Sequence, residues 1–261
     1  MILDIENLTV RYEGPDGPVR AVDGVSLTVG KGEALVILGE SGSGKTTVAR
    51  TVLALLGRDA HVTGRVRLGG TDLRGLGEAE LSRIRGRRIG FVPQDPAGAL
   101  DPLRRIGPQI TEVLLRHRTA VGRRAARAAV PELLTIAGVT DPERVARAYP
   151  HELSGGLKQR AVIALAVSCG PELLIADEPT TALDALLRGR ILDLFDTLRT
   201  ERGISLLLVT HDLTAARRIG GRVAVMRAGR IVELGPAEQV LAPPAEPRAG
   251  ELLAAPPGDR S

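Results

Sequence analysis

Cysteine occurs once in the 261 residues, at Cys169, and tryptophan is absent. Tyr12, Phe91, Tyr149 and Phe195 are the only aromatics. A single thiol excludes an internal disulfide framework and a cysteine-built zinc site, and it suits a reducing compartment. Lysine is nearly missing too: Lys31, Lys45 and Lys158 are three of 35 basic residues, and all the others are arginine. The net charge of +4 invites a nucleic-acid reading. Single-strand binders, however, interleave aromatic stacking platforms with their basic residues, and this chain has too few to build them. Arg83, Arg85, Arg87 and Arg88, like Arg116, Arg118, Arg123, Arg124 and Arg127, read instead as solvated helix faces, so no nucleic-acid partner is expected. Long apolar runs are missing as well. The longest uncharged stretch, Ala161 to Pro171, has eleven residues, against the ~20 a membrane-spanning helix needs. The start, Met1-Ile2-Leu3-Asp4-Ile5-Glu6, is acidic and lacks the basic region of a signal peptide. The expectation is a cytoplasmic protein.

What is present fits a globular chain, with 43% hydrophobic and 25% charged residues. One large domain or two small ones of this size bury roughly 70–75% of the unfolded surface without metal or disulfide. Apolar runs predict strands at Leu3–Val10, Val22–Val29, Ala34–Leu38, Arg65–Leu68, Ile89–Val92, Leu173–Ala176, Ser205–Val209 and Arg222–Met226. Helical patterns fall at Lys45–Leu56, Ser154–Ser168, Ala185–Arg199 and Leu213–Ile219. Strands alternating with helices argue for an α/β fold whose parallel sheet is covered on both faces. Between about Asp95 and Gly155 the strand signal vanishes, which reads as a helical insertion, with Pro131 starting or interrupting a helix. The last twenty or so residues, with Pro243, Pro244, Pro247, Pro256 and Pro257, read as a loose tail with Leu252-Leu253 as a docking point. There is no internal repeat.

Three segments carry chemistry. Gly39-Glu40-Ser41-Gly42-Ser43-Gly44-Lys45-Thr46 fits G-x-x-x-x-G-K-[ST] between an apolar strand and a helical pattern, the context that confirms a phosphate-binding loop. Its glycines let successive N–H groups turn toward phosphates, and the helix N-terminus adds partial positive charge. Lys45 would reach the β- and γ-phosphates and the Thr46 hydroxyl would ligate Mg²⁺. Leu173-Leu174-Ile175-Ala176-Asp177-Glu178 delivers two carboxylates to the edge of a parallel sheet, where ligands of such sheets bind. Alone this is an ordinary solvated strand end. Behind a phosphate loop, Asp177 becomes the Mg²⁺ carboxylate, acting through water, and Glu178 the base that polarises the attacking water. Ser154-Gly155-Gly156 opens another helical pattern as a second anion-binding N-terminus. Two phosphate-binding faces with one phosphate loop point to a head-to-tail dimer in which each face completes the other's site.

In these segments the chain, from Met1 to about Leu241, resembles the ATP-binding subunits of ABC transporters. The resemblance implies a P-loop NTPase fold with a RecA-like core, an antiparallel β subdomain and an inserted helical subdomain at about 95–155. It implies ATP and Mg²⁺ as ligands. Nucleotide binding then falls to Gly39, Ser41, Gly42, Ser43, Gly44, Lys45, Thr46 and Thr47, with Tyr12 stacking on adenine. Gln94, in Phe91-Val92-Pro93-Gln94-Asp95, matches the glutamine that senses Mg²⁺ and leads into the helical subdomain. The metal set becomes Thr46, Gln94 and Asp177. Ser154, Gly155 and Gly156 match the signature that closes over the partner's γ-phosphate, and Ala182-Leu183-Asp184 the loop joining two active sites. His211 matches the histidine that contacts the γ-phosphate, which with Glu178 makes the catalytic pair.

Gln94–Pro102 and Tyr149–Gly156, together with Pro15-Asp16-Gly17 and Arg20–Ser26, are further similar to the dipeptide, oligopeptide and nickel importer branch. That resemblance implies two integral-membrane permeases, a second and different ATP-binding subunit, an extracellular solute-binding protein, and a place on the cytoplasmic face of the membrane. Leu157 stands where the signature usually has glutamine, as in one of the two ATPase subunits of that branch. The tail from Pro247 to Leu253 keeps the branch's proline-to-double-leucine spacing without its Tyr-Thr, and no cysteines follow it. An exporter ATPase is an alternative, and so is a soluble ATPase of this fold acting on nucleic acid. The second needs a long coiled-coil insertion or tandem ATPase domains, for which 261 residues leave no room. A non-catalytic regulatory subunit is disfavoured by the intact Lys45, Asp177, Glu178 and His211.

Overall fold

The apolar runs form strands that, in chain order, are β1 (Leu3–Tyr12), β2 (Val19–Val29), β3 (Ala34–Leu38), β4 (Ala60–Leu68) and β5 (Thr71–Asp72), then β6 (Ile89–Val92), β7 (Leu173–Asp177), β8 (Ser205–Thr210), β9 (Arg222–Arg227) and β10 (Arg230–Pro236). The helices are α1 (Lys45–Val52), α2 (Glu78–Ile84), α3 (Ile106–Arg116), α4 (Gly122–Ile136), α5 (Pro142–Arg147), α6 (Gly155–Val167), α7 (Ala185–Arg202), α8 (Leu213–Ile219) and α9 (Ala237–Val240). These belong to a computed structural model that describes residues 1–14, 17–181 and 183–242. Pro15, Asp16, Ala182 and the tail from Pro243 onward lie outside the described residues.

β3, β8 and β7 are buried along their whole length, as strands covered on both faces must be. They lie in a six-stranded sheet ordered β10-β9-β3-β8-β7-β6, parallel except for β10. Alternate side chains go to opposite faces. Val36, Leu38, Leu174, Ala176, Leu206 and Leu208 pack with α3, α4, α6, α7 and α8. Leu35, Ile37, Leu173, Ile175, Leu207 and Val209 pack with α1 and the second sheet. Both faces are covered, but one of them chiefly by a sheet rather than helices.

That second sheet is antiparallel, ordered β2-β1-β4-β5. β1 buries Leu3 and Ile5, then Leu8 and Val10, a change from odd to even positions. A bulge between Ile5 and Leu8, with Asn7 at φ 48°, resets the phase. Gly64 on β4 makes this possible: at φ +90° it lies so close to the Glu6 and Asn7 carbonyls that a Cβ would collide with both.

Between β6 and α6 the described residues hold helices and turns and no strand. α6 is buried on nearly every side, because it is wedged between the large sheet and the inserted α3 and α4. Pro131 neither starts nor ends a helix: α4 runs through it. The lost ladder bond is tolerated because Ala126, Val130 and Leu134 are anchored in the core. Two of the arginines expected on solvated faces are structural. Arg85 donates to the Leu53 and Ala54 carbonyls at 2.7 and 2.9 Å. Arg88 pairs with Glu172 at 2.5 Å.

Replacing Gly64 with alanine should cost about 3 kcal/mol, from left-handed strain of ~1–2 kcal/mol plus overpacking of ~1–3 kcal/mol. Gly32→Ala, at φ +67° in open space, should cost only the strain. Equilibrium unfolding in urea checks the order of the two.

Candidate active site

The carboxyl ends of β3, β8 and β7 finish almost level: Leu38 is opposite Thr210, and Asp177 opposite Val209. Everything that follows these three strands therefore meets at one edge. After β3 the chain curls through Gly39–Gly44, with Gly42 at φ +79° and Gly44 at φ +103°. Gly39 is pressed so hard against the Met226 carbonyl that any side chain there would collide. α1 then opens on Gly44 with no side chain capping its first turn and no acidic residue in it. Uncapped N–H groups and a positive helix end form an anion site.

Lys45 is 5% exposed. Its Nζ donates to the Gly39 and Glu40 carbonyls at 2.8 and 2.7 Å and stands 4.0 Å from Glu178 Oε1. Burial pulls its pKa below the ordinary lysine value, against the pull of the Glu178, Asp177 and Glu40 carboxylates. The Thr46 hydroxyl donates to Asp177 Oδ1 at 2.9 Å. Burial pushes the Asp177 carboxyl above the usual range, with the Thr46 bond opposing it. A hydroxyl and a carboxylate in contact are hard oxygen donors suited to Mg²⁺, which takes one or two protein carboxylates and completes its shell with water and phosphate. Among the described residues no cluster of three or more His, Cys, Asp or Glu side chains could hold a metal by itself.

Glu178 turns at φ 47°, a left-handed conformation that costs a non-glycine residue ~1–2 kcal/mol. The turn is held by its N–H donating to the Val209 carbonyl at 2.8 Å. It aims the side chain back over the edge, where Oε1 meets His211 Nδ1 at 2.9 Å and Oε2 accepts from the Thr181 hydroxyl at 3.2 Å. A cleft of about 600 Å³ results, lined by Glu40, Ser41, Gly42, Gly44, Lys45, Thr46, Thr47, Gln94, Glu178 and His211, together with Ala21 and Leu213.

Of the sequence-predicted residues, the phosphate loop, Gln94, Asp177, Glu178 and His211 thus converge on this edge. Ser43 sits beneath the loop with a buried, unpartnered hydroxyl. Tyr12 and the Ser154–Gly156 segment do not line the cleft. Tyr12 ends β1 opposite Val19 and Ala60, half-buried against that sheet's core. Ser154 caps α6, its Oγ accepting from Leu157 N at 3.4 Å. The turn before it is braced by the Arg105 guanidinium, 5.4 Å from the Tyr149 ring centre. Asp184 caps α7 through Leu187 N at 2.9 Å. The sequence reading missed Thr181, Ala21 and Leu213. Thr181 had a signal, a hydroxyl three residues beyond Glu178, whereas Ala21 reaches the cleft only because β2 passes under the loop.

The family model described as ABC transporter matches residues 22–181. This chain belongs to the ABC transporter family. Among curated relatives, the oligopeptide transport ATP-binding protein of Mycobacterium bovis is 47% identical over 232 residues, 89% of this chain. The match spans only 38% of that longer protein. The oligopeptide and dipeptide transport ATP-binding proteins of Bacillus subtilis are 40% and 41% identical over 98% of this chain, and it covers 72% and 77% of them. In structure, this ABC family chain resembles the ATP-binding cassette MJ0796, solved as a dimer in a post-hydrolysis state bound to ADP and Pi. The TM-score is 0.80 with 32% identity, covering 90% of this chain and 98% of that one. The fold is the α/β P-loop cassette that the motifs implied.

Because folding raises the Asp177 pKa, its charged form destabilises the native state at neutral pH, and the penalty fades as pH falls through the folded pKa toward the unfolded value. Asp177→Asn should therefore raise the thermal midpoint measured without nucleotide at pH 7. The gain should shrink below pH 4. Calorimetry across pH checks both.

Proposed function

We propose that this chain is the ATP-hydrolysing subunit of an importer, coupling ATP binding and hydrolysis to the uptake of peptides. The observation that carries the reading is Glu178, held between His211 at 2.9 Å and Lys45 at 4.0 Å, beside a phosphate loop whose helix is uncapped. The curated relatives' names supply the peptide class; nickel has no support beyond the branch resemblance.

In the proposed reaction the loop N–H groups and Lys45 hold the phosphates, and Thr46, Asp177 and Gln94 hold Mg²⁺. Bound Mg²⁺ supplies positive charge against the phosphate oxygens. Glu178 orients a water and takes its proton as the water oxygen bonds to the γ-phosphorus and the bond to the β–γ bridging oxygen breaks. His211 keeps Glu178 in place and faces the γ-phosphate. Tyr12 would stack on adenine. Ser154, Gly155 and Gly156 would close over the nucleotide of a second ATP-binding subunit, with Leu157 favouring an unlike one.

We further infer one ATPase domain over residues 1–241, with its helical part at about 95–155, and a separate tail from 242. No helix among the described residues is long and apolar enough to cross a membrane. The proposed assembly, which rests on the likeness to peptide-transport ATP-binding proteins, places this chain on the cytoplasmic face beneath two permeases that an extracellular binding protein feeds.

Lys45→Ala should weaken ATP binding at least tenfold by equilibrium titration, since it removes the buried charge at the phosphate site. Glu178→Gln should lower turnover ~10²–10⁴-fold while ATP binding and ATP-driven dimerisation persist, read by single-turnover assay and gel filtration. A tagged pull-down from detergent-solubilised membranes should bring down two permeases and a second ATPase. Recovery with nucleic acid, or from the soluble fraction alone, would refute the transport reading.

A further inference from the structure

Arg188, in the first turns of α7, donates from Nη1 to Asp212 Oδ2 at 2.8 Å. Asp212 follows His211 directly and begins α8. Its Oδ1 accepts from Thr214 N at 2.7 Å and Ala215 N at 3.3 Å, and its own N–H donates to Thr210 Oγ1 at 3.0 Å. The two carboxylate oxygens thus have separate duties. One holds α8, and the other ties the turn bearing His211 to α7.

The pair is better sheltered than a rim contact, since the Asp212 side chain is 18% exposed. Burial would raise the Asp212 carboxyl pKa, but the two helix N–H groups and Arg188 outweigh it and hold the pKa below its ordinary value. Among the described residues this is the only hydrogen bond the Arg188 side chain makes, and its Nε is buried without a partner. Arg218 grips Asp193 at 2.7 and 2.8 Å further along, so α7 and α8 are clamped at two levels.

Leu187, the residue before Arg188, lies over Gly156: a Cβ there would stand 3.2 Å from Leu187 Cδ1. Consecutive residues of α7 thus touch the Ser154–Gly156 segment on one side and the His211 turn on the other.

We propose that Arg188 is a positioning residue for hydrolysis. Through Asp212 it holds His211 against Glu178, and through α7 it links that pair to the Ser154–Gly156 face. This rests on the ATPase reading given above. Closure of a second subunit on that face would then bear on the histidine by a short route, through two consecutive residues of α7 and the Asp212 turn.

The test uses Arg188→Gln and Asp212→Asn in the purified full chain. Asparagine still caps α8, because it is as good an N-cap as aspartate, so the second variant removes the charge and the acceptor oxygen that Arg188 grips while keeping the cap. Each should lower kcat about tenfold at unchanged KM for ATP, and the double variant should be no worse than either single. In a His211→Ala background, Arg188→Gln should have no further effect; a full additional loss there would overturn the proposal. By NMR, of the Cε1–H signals of His61, His117, His151 and His211, Arg188→Gln should move only that of His211. An unmoved His211 signal would overturn the proposal even if turnover fell. If the wild-type chain neither bound nor hydrolysed ATP, the functional reading would fail instead, and the NMR result would still decide the role of Arg188.

Discussion

Parallel pairing of β3, β8 and β7 is the constraint on which the rest depends. The three strands are fully buried, so a slip of one residue in any of them would send its apolar side chains to the wrong core. Locked in register, they must end together, and the Gly39 loop, Glu178 and His211 leave from neighbouring positions. β8 lies between β3 and β7. His211, just past its end, therefore leaves beside Glu178 and meets its carboxylate. The energy for this arrangement comes from the two apolar cores. The site residues contribute little of it and oppose part of it.

That opposition is visible in three places. Glu178 adopts a left-handed backbone that a glycine would occupy more cheaply. Lys45 is buried among carbonyls and carboxylates, and Asp177 is ionised only against desolvation. None improves the fold, and all are held by their neighbours: the Val209 carbonyl, the Thr46 hydroxyl and the packed strands beneath. Strain concentrated where charge must be handled is the usual mark of a site that the scaffold supports. The ion pair between Arg188 and Asp212 extends that support one layer outward, to the helix that also touches Gly156.

Much of this was legible because the relevant signals are local. The phosphate loop is eight contiguous residues, and the buried strands are uninterrupted apolar runs. The helical patterns read from Ala185 and Leu213 begin where α7 and α8 begin. Other features were not legible. β10 carries little burial, so its sequence shows no core periodicity, and it pairs as an edge only because β9 is already placed. β5 is two residues long. The bulge at Asn7 breaks the alternation of β1 midway. Pro131 contradicts the helix that contains it, and only the packing of Ala126, Val130 and Leu134 settles the matter.

The sequence alone singled out the residues expected to carry the chemistry, because a glycine-rich turn, a strand-end carboxylate pair and a helix start depend on near neighbours along the chain. Tertiary structure decided which of them meet. Lys45 and Glu178 are separated by more than half the chain, and their approach follows from strand order. The same order leaves Tyr12 and Ser154–Gly156 off the cleft lined by Lys45 and Glu178. It also set Arg188 on Asp212, a contact between two helices that share no pattern in sequence and meet only because both cover the same face of one sheet.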